Sequence, residues 1–444
     1  KGSFVDEALR AILDRAALGE ADAALASELA LGVLRHRMTL ARLVGLVLAG
    51  RLGSLAPALR DILYVGAYQL VFLDRVPAFA AVNEAVRQAK QRGGRKAGAL
   101  VNAVLRQLLR HRVQPRCPFD QADPRRCVRV DHDRGCVFDL NLFAEPRTDP
   151  IGYYSAATSH PPLLVSRWLR HFGPAKASQI CWAGQAKPPM SLRANELRIG
   201  PDQLAEQLGQ AGIKAHYDPA SRAVLLADAP PVRSLPAFKA GLCQPQDPTT
   251  MSVVRLGGPQ PGQLVLDLCA APGTKTTQLA EQMNNEGLIV ACDVNEAKLE
   301  QIRQNCRRMG ITIVRTALPE ELPGLRRQLG KFDLILVDAP CSNSGVLARR
   351  PEARYRFSRT SLARLVRLQR QLLGHAADLA ESHTRLIYST CSIEPEENEQ
   401  LIQGFCAPRT KWSVLQWRLT LPRTGQTIGQ WRDGGFVAEL VRTR

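Results

Sequence analysis

The sequence predicts a multidomain protein: an all-α N-terminal domain, a small α/β subdomain, and a Rossmann-like α/β domain with a doubly wound parallel sheet. The chain of 444 residues is long for a single hydrophobic core. Apolar residues recur at helical spacing as far as Arg112, and short apolar runs alternate with helical stretches from about Gly241. We expect a helical domain over 1–112, a linker over 113–160, the subdomain over 161–240 and the last domain over 241–444.

Composition narrows the class of protein. The formal net charge of +18 favours a polyanionic partner, and nucleic acid is the leading candidate. The chain has no apolar run long enough to span a bilayer, and its start, Lys1-Gly2-Ser3, has no apolar signal core. We therefore expect a cytoplasmic protein with no membrane partner, and a monomer.

The 11 cysteines form no C-x-x-C pair and no regular framework, which is typical of reduced thiols. Cys117, Cys127 and Cys136 cluster near His132, but their spacing fits no common zinc pattern. We predict that these cysteines are structural and that the protein holds no metal.

The helical pattern begins near Phe4, with apolar pairs such as Ile12-Leu13 and Ile62-Leu63 at helical spacing. Its later helices carry many cations and few acids. These cations form either a solvated face or a surface that contacts phosphates. These cations are Arg87, Lys90, Arg92, Arg95, Lys96, Arg106, Arg110 and Arg112. From Val113 to His160 the periodicity is lost and Pro, Asp, Arg and Gly accumulate, which predicts a linker with little helix.

The remaining chain alternates between strand and helix. Met190–Asn195, a helix over Pro201–Gly212, Lys214–Tyr217 and Ala223–Ala227 predict the small α/β subdomain. The last domain is predicted from its apolar runs, which end in polar residues and are separated by helices. These runs are Leu264–Asp267, Leu288–Cys292, Phe332–Val337 and Arg385–Ser389.

The first of these strands runs into a tight turn of small residues, Cys269–Lys275, where backbone can approach a ligand closely. The turn matches neither a Walker loop nor G-x-G-x-x-G, so it favours a nucleoside without phosphates. Asp293 ends the second strand, where a carboxylate can accept both ribose hydroxyls. S-adenosyl-L-methionine fits this description, which predicts a class I methyltransferase domain.

Two further strand ends supply cysteines, in Asp338-Ala-Pro-Cys341 and Ser389-Thr-Cys391. Carbon 5 of cytosine is too weak a nucleophile to take a methyl group directly, but a thiolate that adds to carbon 6 activates it. Asp338 can bind the amino group and the protonated ring nitrogen of the adduct, and a second thiol can assist proton loss or product release. From the residues alone, either cysteine could attack.

With these motifs the sequence resembles the RNA cytosine-5 methyltransferases of the Sun/NOL/NOP group, and within it the bacterial RsmB-type ribosomal RNA enzymes. The N-terminal helices are similar to the NusB-type RNA-binding domain. The matching stretches are His160–Trp168, Gln246-Asp247, Leu266–Lys275, Asp338–Ser342 with Ser344-Gly345, Ser389–Asn398 and Asp433–Phe436.

The resemblance implies C5-methylation of a cytosine in 16S ribosomal RNA, with small-subunit RNA as the partner. It implies that Cys391 is the nucleophile, because this RNA family uses the T-C cysteine, and that Cys341 is the releasing thiol. Asp338 is expected between cofactor and base. The residues expected to contact the cofactor are Cys269, Ala270, Ala271, Pro272, Gly273, Thr274, Lys275, Asp293 and Asp338.

The chain departs from the family pattern in three places. The third strand, Ile313–Ala317, lacks the usual acid on the adenine side, and Glu320 is the nearest candidate. Thr274 stands where a second glycine is common. The stretch from Pro115 to Asp149 is longer and richer in Arg and Cys than the family suggests.

An arginine-rich segment follows Cys341 on what should be an exposed loop and helix. We interpret its cations as phosphate contacts that orient the target strand, against the alternative of a solvated face. The residues predicted to bind RNA are Arg87, Lys90, Arg95, Lys96, Arg349, Arg350 and Arg354, with Arg356 and Arg359 nearby. Two alternatives stay open: an enzyme acting on transfer RNA, messenger RNA or another ribosomal position, and an RNA-binding assembly factor that has lost activity.

Overall fold

The computed structural model describes residues 5–16, 18–227 and 229–442. The Lys1-Gly2-Ser3 start and the predicted helix start at Phe4 lie outside these residues. The described chain divides into two compact units. The first takes the described residues up to Lys187 together with Leu347–Arg356, and the second takes Pro188–Val346 and the chain from Phe357 onward.

Five helices open the first unit, as the apolar periodicity predicts. They are α1 (Val5–Ala16), α2 (Glu20–Arg35), α3 (Arg37–Val47), α4 (Pro57–Phe72) and α5 (Ala78–His111). Leu40, Leu63 and Leu105 are fully buried in their shared core. Helix α5 is interrupted at Gly93-Gly94, where Gly94 adopts a φ of +71° that favours glycine.

The stretch predicted as a linker is a folded part of the first unit, so that prediction is wrong. It contains nearly all of an antiparallel sheet in the order β1-β3-β2 and the short helix α6, and the long helix α7 follows it. Val128 and Phe138 are buried in the same core as the helices. Apolar residues that stand singly among Pro and Arg gave no periodic signal. The elements are β1 (Arg112–Pro118), β2 (Cys127–Arg129), β3 (Arg134–Phe138), α6 (Pro150–Thr158) and α7 (Pro162–Gln185).

The second unit opens with a four-stranded sheet in the order β5-β6-β4-β7, which confirms the small α/β subdomain. It begins at β4, because α7 lies in the first unit. Leu192, Leu204 and Val224 are fully buried between its sheet and its helices. The elements are β4 (Met190–Ala194), α8 (Pro201–Gln210), β5 (Ala215–Asp218), β6 (Ala223–Leu226), α9 (Pro236–Lys239) and β7 (Cys243–Pro245).

A seven-stranded sheet follows in the order β10-β9-β8-β11-β12-β14-β13. Strands β8 to β12 are parallel, as predicted, and the last two strands are antiparallel. The elements are α10 (Pro248–Gly257), β8 (Leu264–Asp267), α11 (Thr274–Gln282), β9 (Leu288–Cys292), α12 (Glu296–Met309), β10 (Val314–Ala317), α13 (Leu322–Leu329), β11 (Leu334–Asp338), α15 (Arg359–Leu379), β12 (Arg385–Thr390), α16 (Glu399–Cys406), β13 (Trp412–Thr420) and β14 (Gly435–Arg442). The short helix α14 (Ala353–Arg356) comes between β11 and α15 in the chain but belongs to the first unit.

The chain order of the strands reverses beside β8, which lies between β9 and β11. In open α/β sheets, ligands bind at the carboxyl ends of the strands next to such a reversal. The turn after β8, Asp293 after β9, the loop after β11 and Cys391 after β12 therefore share one edge of the sheet.

Candidate active site

The turn after β8 has the shape that a close backbone approach requires. Ala270 N–H donates to the carbonyl oxygen of Cys292 at 2.9 Å, which ties the turn to β9. Gly273 has a φ of +94°, and an added Cβ would lie 3.3 Å from Ile302 on α12. Glycine therefore suits this position, and α11 begins at the next residue.

Two carboxylates beside this turn have oxygens with no hydrogen-bond partner. Asp267 is buried, and its Oδ2 accepts from Thr276 at 2.7 Å while Oδ1 has no donor. Burial raises the pKa of Asp267 to about 7. Asp293 Oδ1 likewise lacks a hydrogen bond, with Lys298 Nζ 3.7 Å away. Buried acceptors without donors fit a ligand that brings an ammonium group and ribose hydroxyls.

Asp338, at the end of β11, is held from two sides. Lys275 Nζ donates to its Oδ2 at 2.6 Å, and Ser389 Oγ donates to its Oδ1 at 2.7 Å. Lys275 lies in the first turn of α11 and Ser389 in β12, so the carboxylate joins the start of that helix to the strand that leads to Cys391. Asp338 remains partly exposed, and its oxygens keep acceptor capacity for a further donor.

The structure brings the two predicted cysteines together. Cys341 Sγ lies 3.2 Å from Cys391 Sγ, and both residues are partly exposed. The hydrogen bond to Cys391, with burial, holds the pKa of Cys341 well above its ordinary value. Cys341 is therefore a thiol at neutral pH, beside a second sulfur that a ligand can reach.

Backbone contacts fix the two cysteine loops against each other. Gly345 N–H donates to the carbonyl oxygen of Cys391 at 3.0 Å, and Gly434 N–H donates to the carbonyl oxygen of Gly345 at 2.7 Å. An added Cβ at Gly345 would lie 2.6 Å from the backbone of Gly434. Only glycine permits this approach, so the loop after β11 rests directly on the end of β12.

Glu397 and Asn343 are two site residues that sequence reasoning missed. Glu397 is fully buried, and it accepts from Ser342 N–H at 2.9 Å and from Gln369 Nε2 at 3.0 Å. Burial raises the pKa of Glu397. Glu397 lies in the stretch after Cys391 that resembles the family, and this resemblance was the signal that could have identified it. Asn343 contacts Cys391 and gave no signal of its own.

The predicted RNA contacts divide into two groups. Arg87, Lys90, Arg95 and Lys96 are exposed on α5, with Arg87 paired to Glu84 at 2.5 Å. Arg349 and Arg350 are partly exposed. Their role in RNA binding stays a prediction.

The prediction for Arg354 is wrong, because its side chain is fully buried. The guanidinium donates to backbone carbonyl oxygens within the first unit, and burial lowers its pKa to about 10. It therefore holds the returning segment Leu347–Arg356 in that unit and has no face for a phosphate. The acceptors are Arg35, Thr158, Ser159, Gly184 and Leu347.

Glu320, the nearest candidate for the acid that the third strand lacks, is exposed in the short turn after β10. Burial raises the pKa of Cys292 at the end of β9, and the charges of nearby acids, Glu320 among them, raise it further. Glu320 therefore remains the candidate for an adenine contact, and that role stays a prediction.

Comparison with known proteins decides the family. The model "16S rRNA methyltransferase RsmB/F" matches residues 254–433, the NusB family model matches 1–110, and an RsmF/B-like ferredoxin-like domain matches 160–233. A probable ribosomal RNA small subunit methyltransferase B from Bacillus subtilis is 30% identical over 399 residues, covering 89% of this chain and 83% of that protein. The chain belongs to the RsmB/F family.

A further relative and two solved structures also resemble this chain. A ribosomal RNA small subunit methyltransferase B from Klebsiella pneumoniae is 31% identical and covers 96% of this chain and 92% of that protein. The crystal structure of PH0851 superposes with a TM-score of 0.73 at 23% identity, covering 98% of this chain and 93% of that one, and it supports the fold. A methyltransferase homolog from Pyrococcus horikoshii is 27% identical, with a TM-score of 0.55 over 66% of this chain and 99% of that one.

As an RsmB/F methyltransferase, this chain uses S-adenosyl-L-methionine as its cofactor. The unpartnered oxygens of Asp267 and Asp293 fit that molecule. Within the described residues, no helix is long and apolar enough to cross a membrane. The same part of the chain has no group of three or more His, Cys, Asp or Glu side chains placed to bind a metal ion.

Proposed function

We propose that this chain methylates carbon 5 of a cytosine in 16S ribosomal RNA through a covalent bond between Cys391 and carbon 6. The observation that carries the proposal is the 3.2 Å separation of Cys341 Sγ and Cys391 Sγ beside Asp338. Methyl transfer to a nucleophilic oxygen or nitrogen would need no thiol, whereas methyl transfer to carbon 5 of cytosine needs one to activate the ring. The names of the relatives support small-subunit ribosomal RNA as the substrate.

The first step activates the ring. The Cys391 thiolate forms an S–C6 bond, and the electron pair of the C5–C6 double bond moves to carbon 5 and the ring amidine. Asp338 accepts hydrogen bonds from the exocyclic amino group and from the protonated ring nitrogen. Lys275 and Ser389 hold its oxygens in place for this contact.

The second step transfers the methyl group and releases the product. S-adenosyl-L-methionine, when bound, supplies a methyl group to carbon 5. Transfer of the carbon 5 proton to solvent water then returns the electron pair of the C–H bond to the C5–C6 bond and breaks the S–C6 bond, which frees Cys391 as a thiolate. Cys341 lies close enough to assist this release, and its raised pKa makes it a thiol that can return a proton to the departing sulfur.

The target cytosine must be unpaired or flipped out of the RNA helix, because a stacked base cannot reach the two sulfurs. We propose that the exposed cations of α5, with Arg349 and Arg350, contact phosphates and set the register of the RNA. These residues are Arg87, Lys90, Arg95, Lys96, Arg349 and Arg350. Glu320 is the proposed contact on the adenine side of the cofactor.

A gel assay for the covalent complex tests the proposal. Labelled small-subunit RNA is incubated with S-adenosyl-L-methionine and the wild type, Cys391→Ser, Cys341→Ser or the double variant. We expect a band that survives denaturation with Cys341→Ser, and none with Cys391→Ser or the double variant. A covalent band with Cys391→Ser and none with Cys341→Ser would reverse the assigned roles.

Two further measurements separate the alternatives. Bisulfite sequencing of ribosomal RNA from cells that lack the gene should show the loss of one 5-methylcytosine in 16S RNA. Unchanged methylation at every ribosomal cytosine would end the substrate assignment. Calorimetry with S-adenosyl-L-methionine separates an enzyme from an RNA-binding assembly factor, since absence of heat at millimolar ligand would favour the latter.

A further inference from the structure

Asn343 occupies an unusual backbone position between the two cysteine loops. Its φ is +60°, in the left-handed region that L residues rarely adopt. Asparagine is one of the few residues other than glycine that enter this region readily. The position therefore favours glycine, asparagine or aspartate, and this chain has the amide.

The Asn343 amide bridges both cysteines. Its Nδ2 donates to the carbonyl oxygen of Cys341 at 3.0 Å, and its Oδ1 lies 3.1 Å from Cys391 Sγ. A carbonyl oxygen can only accept, so the NH2 end of the amide must face Cys341. The oxygen end then faces Cys391, where it accepts a hydrogen bond from the thiol.

These contacts set the direction of the thiol protons. Cys391 has one proton, and Asn343 Oδ1 takes it, so the hydrogen bond between the two sulfurs must come from the Cys341 thiol. The resulting chain runs from Cys341 S–H to Cys391 Sγ and from Cys391 S–H to Asn343 Oδ1. A Cys391 thiolate in this arrangement would face the amide oxygen with no proton between them.

The residues on both sides of Asn343 are held firmly. Ser342 N–H and Oγ donate to Glu397, and Ser344 Oγ accepts from Ile393 N–H at 3.0 Å. Gly345 N–H donates to the carbonyl oxygen of Cys391. The backbone on both sides of Asn343 is therefore fixed, and the amide can leave the sulfur only by rotation of its own side chain.

We propose that Asn343 is a positioning residue for the nucleophile, which it holds as a neutral, oriented thiol until RNA occupies the site. Loss of the Cys391 proton would leave the amide oxygen facing a thiolate, so the contact with Asn343 favours the protonated sulfur. The inference rests on the proposed function, which makes Cys391 the attacking residue.

The titratable and charged groups around the pair come from several elements. Cys341 lies in the loop after β11, Asp338 at the end of that strand and Lys275 on α11. Glu397 follows β12, and Asp433 precedes the glycines that approach Cys391 from β14. Substitution of Asn343 leaves each of these side chains in the protein, so a change in Cys391 reactivity reports on the amide.

The test is the pH dependence of Cys391 alkylation by iodoacetamide in the full chain without RNA, followed by peptide mass spectrometry. Asn343→Gly keeps the left-handed backbone and removes the acceptor, so the midpoint of the rate profile should fall by roughly half a pH unit. Asn343→Asp keeps the shape and adds a negative charge, so the midpoint should rise by about one pH unit or more. The midpoint is the readout because, unlike the rate, it is insensitive to easier access in the glycine variant.

Asn284→Asp is the matched control, since Asn284 is exposed and also has a positive φ, of 52°. Cys406, on α16, provides an internal control in the same spectra. Shifts in opposite directions for the two Asn343 variants, with neither control shifted, support the proposal. Midpoints within about 0.2 pH unit of the wild type, or shifts in the same direction, would overturn it.

The outcome is separable from the proposed function. If Asn343→Asp does not fold, as judged by thermal unfolding and cofactor binding, Asn343→Gly alone decides, because glycine is the residue that this φ favours. Opposite midpoint shifts together with no RNA adduct on Cys391 would leave the positioning role intact and reject the proposed function. An RNA adduct on Cys391 with unchanged midpoints would do the reverse.

Discussion

Two groups of cysteines in this chain look alike by residue type and differ in what surrounds them. Cys117, Cys127 and Cys136 lie in the small sheet of the first unit, where their side chains are almost fully buried. Burial raises the pKa of Cys136 to about 11. Cys341 and Cys391 are partly exposed at the carboxyl edge of the parallel sheet, next to polar groups.

This difference indicates that the place of a cysteine in the fold separates a reactive thiol from a packing residue. The count of cysteines and their spacing in the sequence matter less. A buried thiol with apolar neighbours is inert. A thiol at the ligand-binding edge, with a carboxylate and an amide around it, can be deprotonated and can reach a substrate. Five substitutions follow in order of decreasing predicted effect; the first two test this comparison and the others test the roles of charged residues elsewhere in the chain.

Substitution of one member of each group should separate their roles most strongly. We predict that Cys391→Ser lowers methyl transfer to small-subunit RNA about a thousandfold or more, because a hydroxyl is a far weaker nucleophile at neutral pH. Cys136→Ser should lower the free energy of unfolding by about 1–2 kcal/mol and leave the rate per folded molecule unchanged. Radiolabelled methyl incorporation and denaturant unfolding measure the two effects. Similar losses of activity in both variants would remove the distinction.

Arg354→Met should show that this buried arginine is structural. The substitution leaves several buried carbonyl oxygens without donors, so we expect a loss of about 3 kcal/mol or more in the free energy of unfolding. Arg92→Met is the matched control, because Arg92 is an exposed residue of α5 in the same unit. Its effect should stay within about 0.5 kcal/mol. Equal stability of the two variants would argue against the structural role.

Cofactor binding should depend on pH through Asp267. Its pKa of about 7 means that the carboxylate is mostly neutral at pH 6 and mostly charged at pH 8. If the charged form binds the ammonium group of the cofactor, affinity should rise about tenfold over this range. Asp267→Asn should bind more weakly and with a flat profile. Calorimetry with S-adenosyl-L-methionine checks this, and an unchanged slope in the variant would exclude Asp267 as the cause.

The raised pKa of Asp267 also affects the folding stability of the protein without cofactor. The pKa of folded Asp267 is raised above its unfolded value, so its contribution is fully present below about pH 4 and is lost as pH rises through about 7. Thermal unfolding of the protein without cofactor should therefore lose stability over that range, relative to Asp267→Asn.

The smallest effect is expected on the surface of α5. Lys90→Ala should weaken binding of small-subunit RNA severalfold and reduce the slope of log affinity against log salt by about 1, which is typical of one lost phosphate contact. Filter binding at several salt concentrations measures both. A change in affinity with no change in slope would point to a structural effect of the substitution.

Much of this architecture could be predicted from the sequence, because its signals are local. Helical spacing indicated the first helices, and strand ends such as Asp293, Cys341 and Cys391 indicated the functional edge. The sheet over Arg112–Phe138 was missed because its buried residues stand singly among prolines and arginines.

Other features depend on tertiary contacts that no sequence pattern encodes. Arg354 was interpreted as an exposed cation because charged residues are seldom buried, but here backbone carbonyl oxygens surround it. Asn343 and Glu397 act across the gap between β11 and β12, which are far apart in the chain. The choice of Cys391 as the attacking cysteine came only from the family resemblance. The two sulfurs lie so close together that the geometry does not distinguish between them.

The assignment of Cys391 as the nucleophile is tested most directly by identifying the residue to which the RNA becomes attached. Cys341→Ser protein is incubated with small-subunit RNA and S-adenosyl-L-methionine, the trapped complex is digested with nuclease and protease, and the modified peptide is sequenced by mass spectrometry. We predict a methylated cytidine attached to Cys391. Attachment to any other residue, or a methylated RNA product with no covalent complex in any variant, would contradict it.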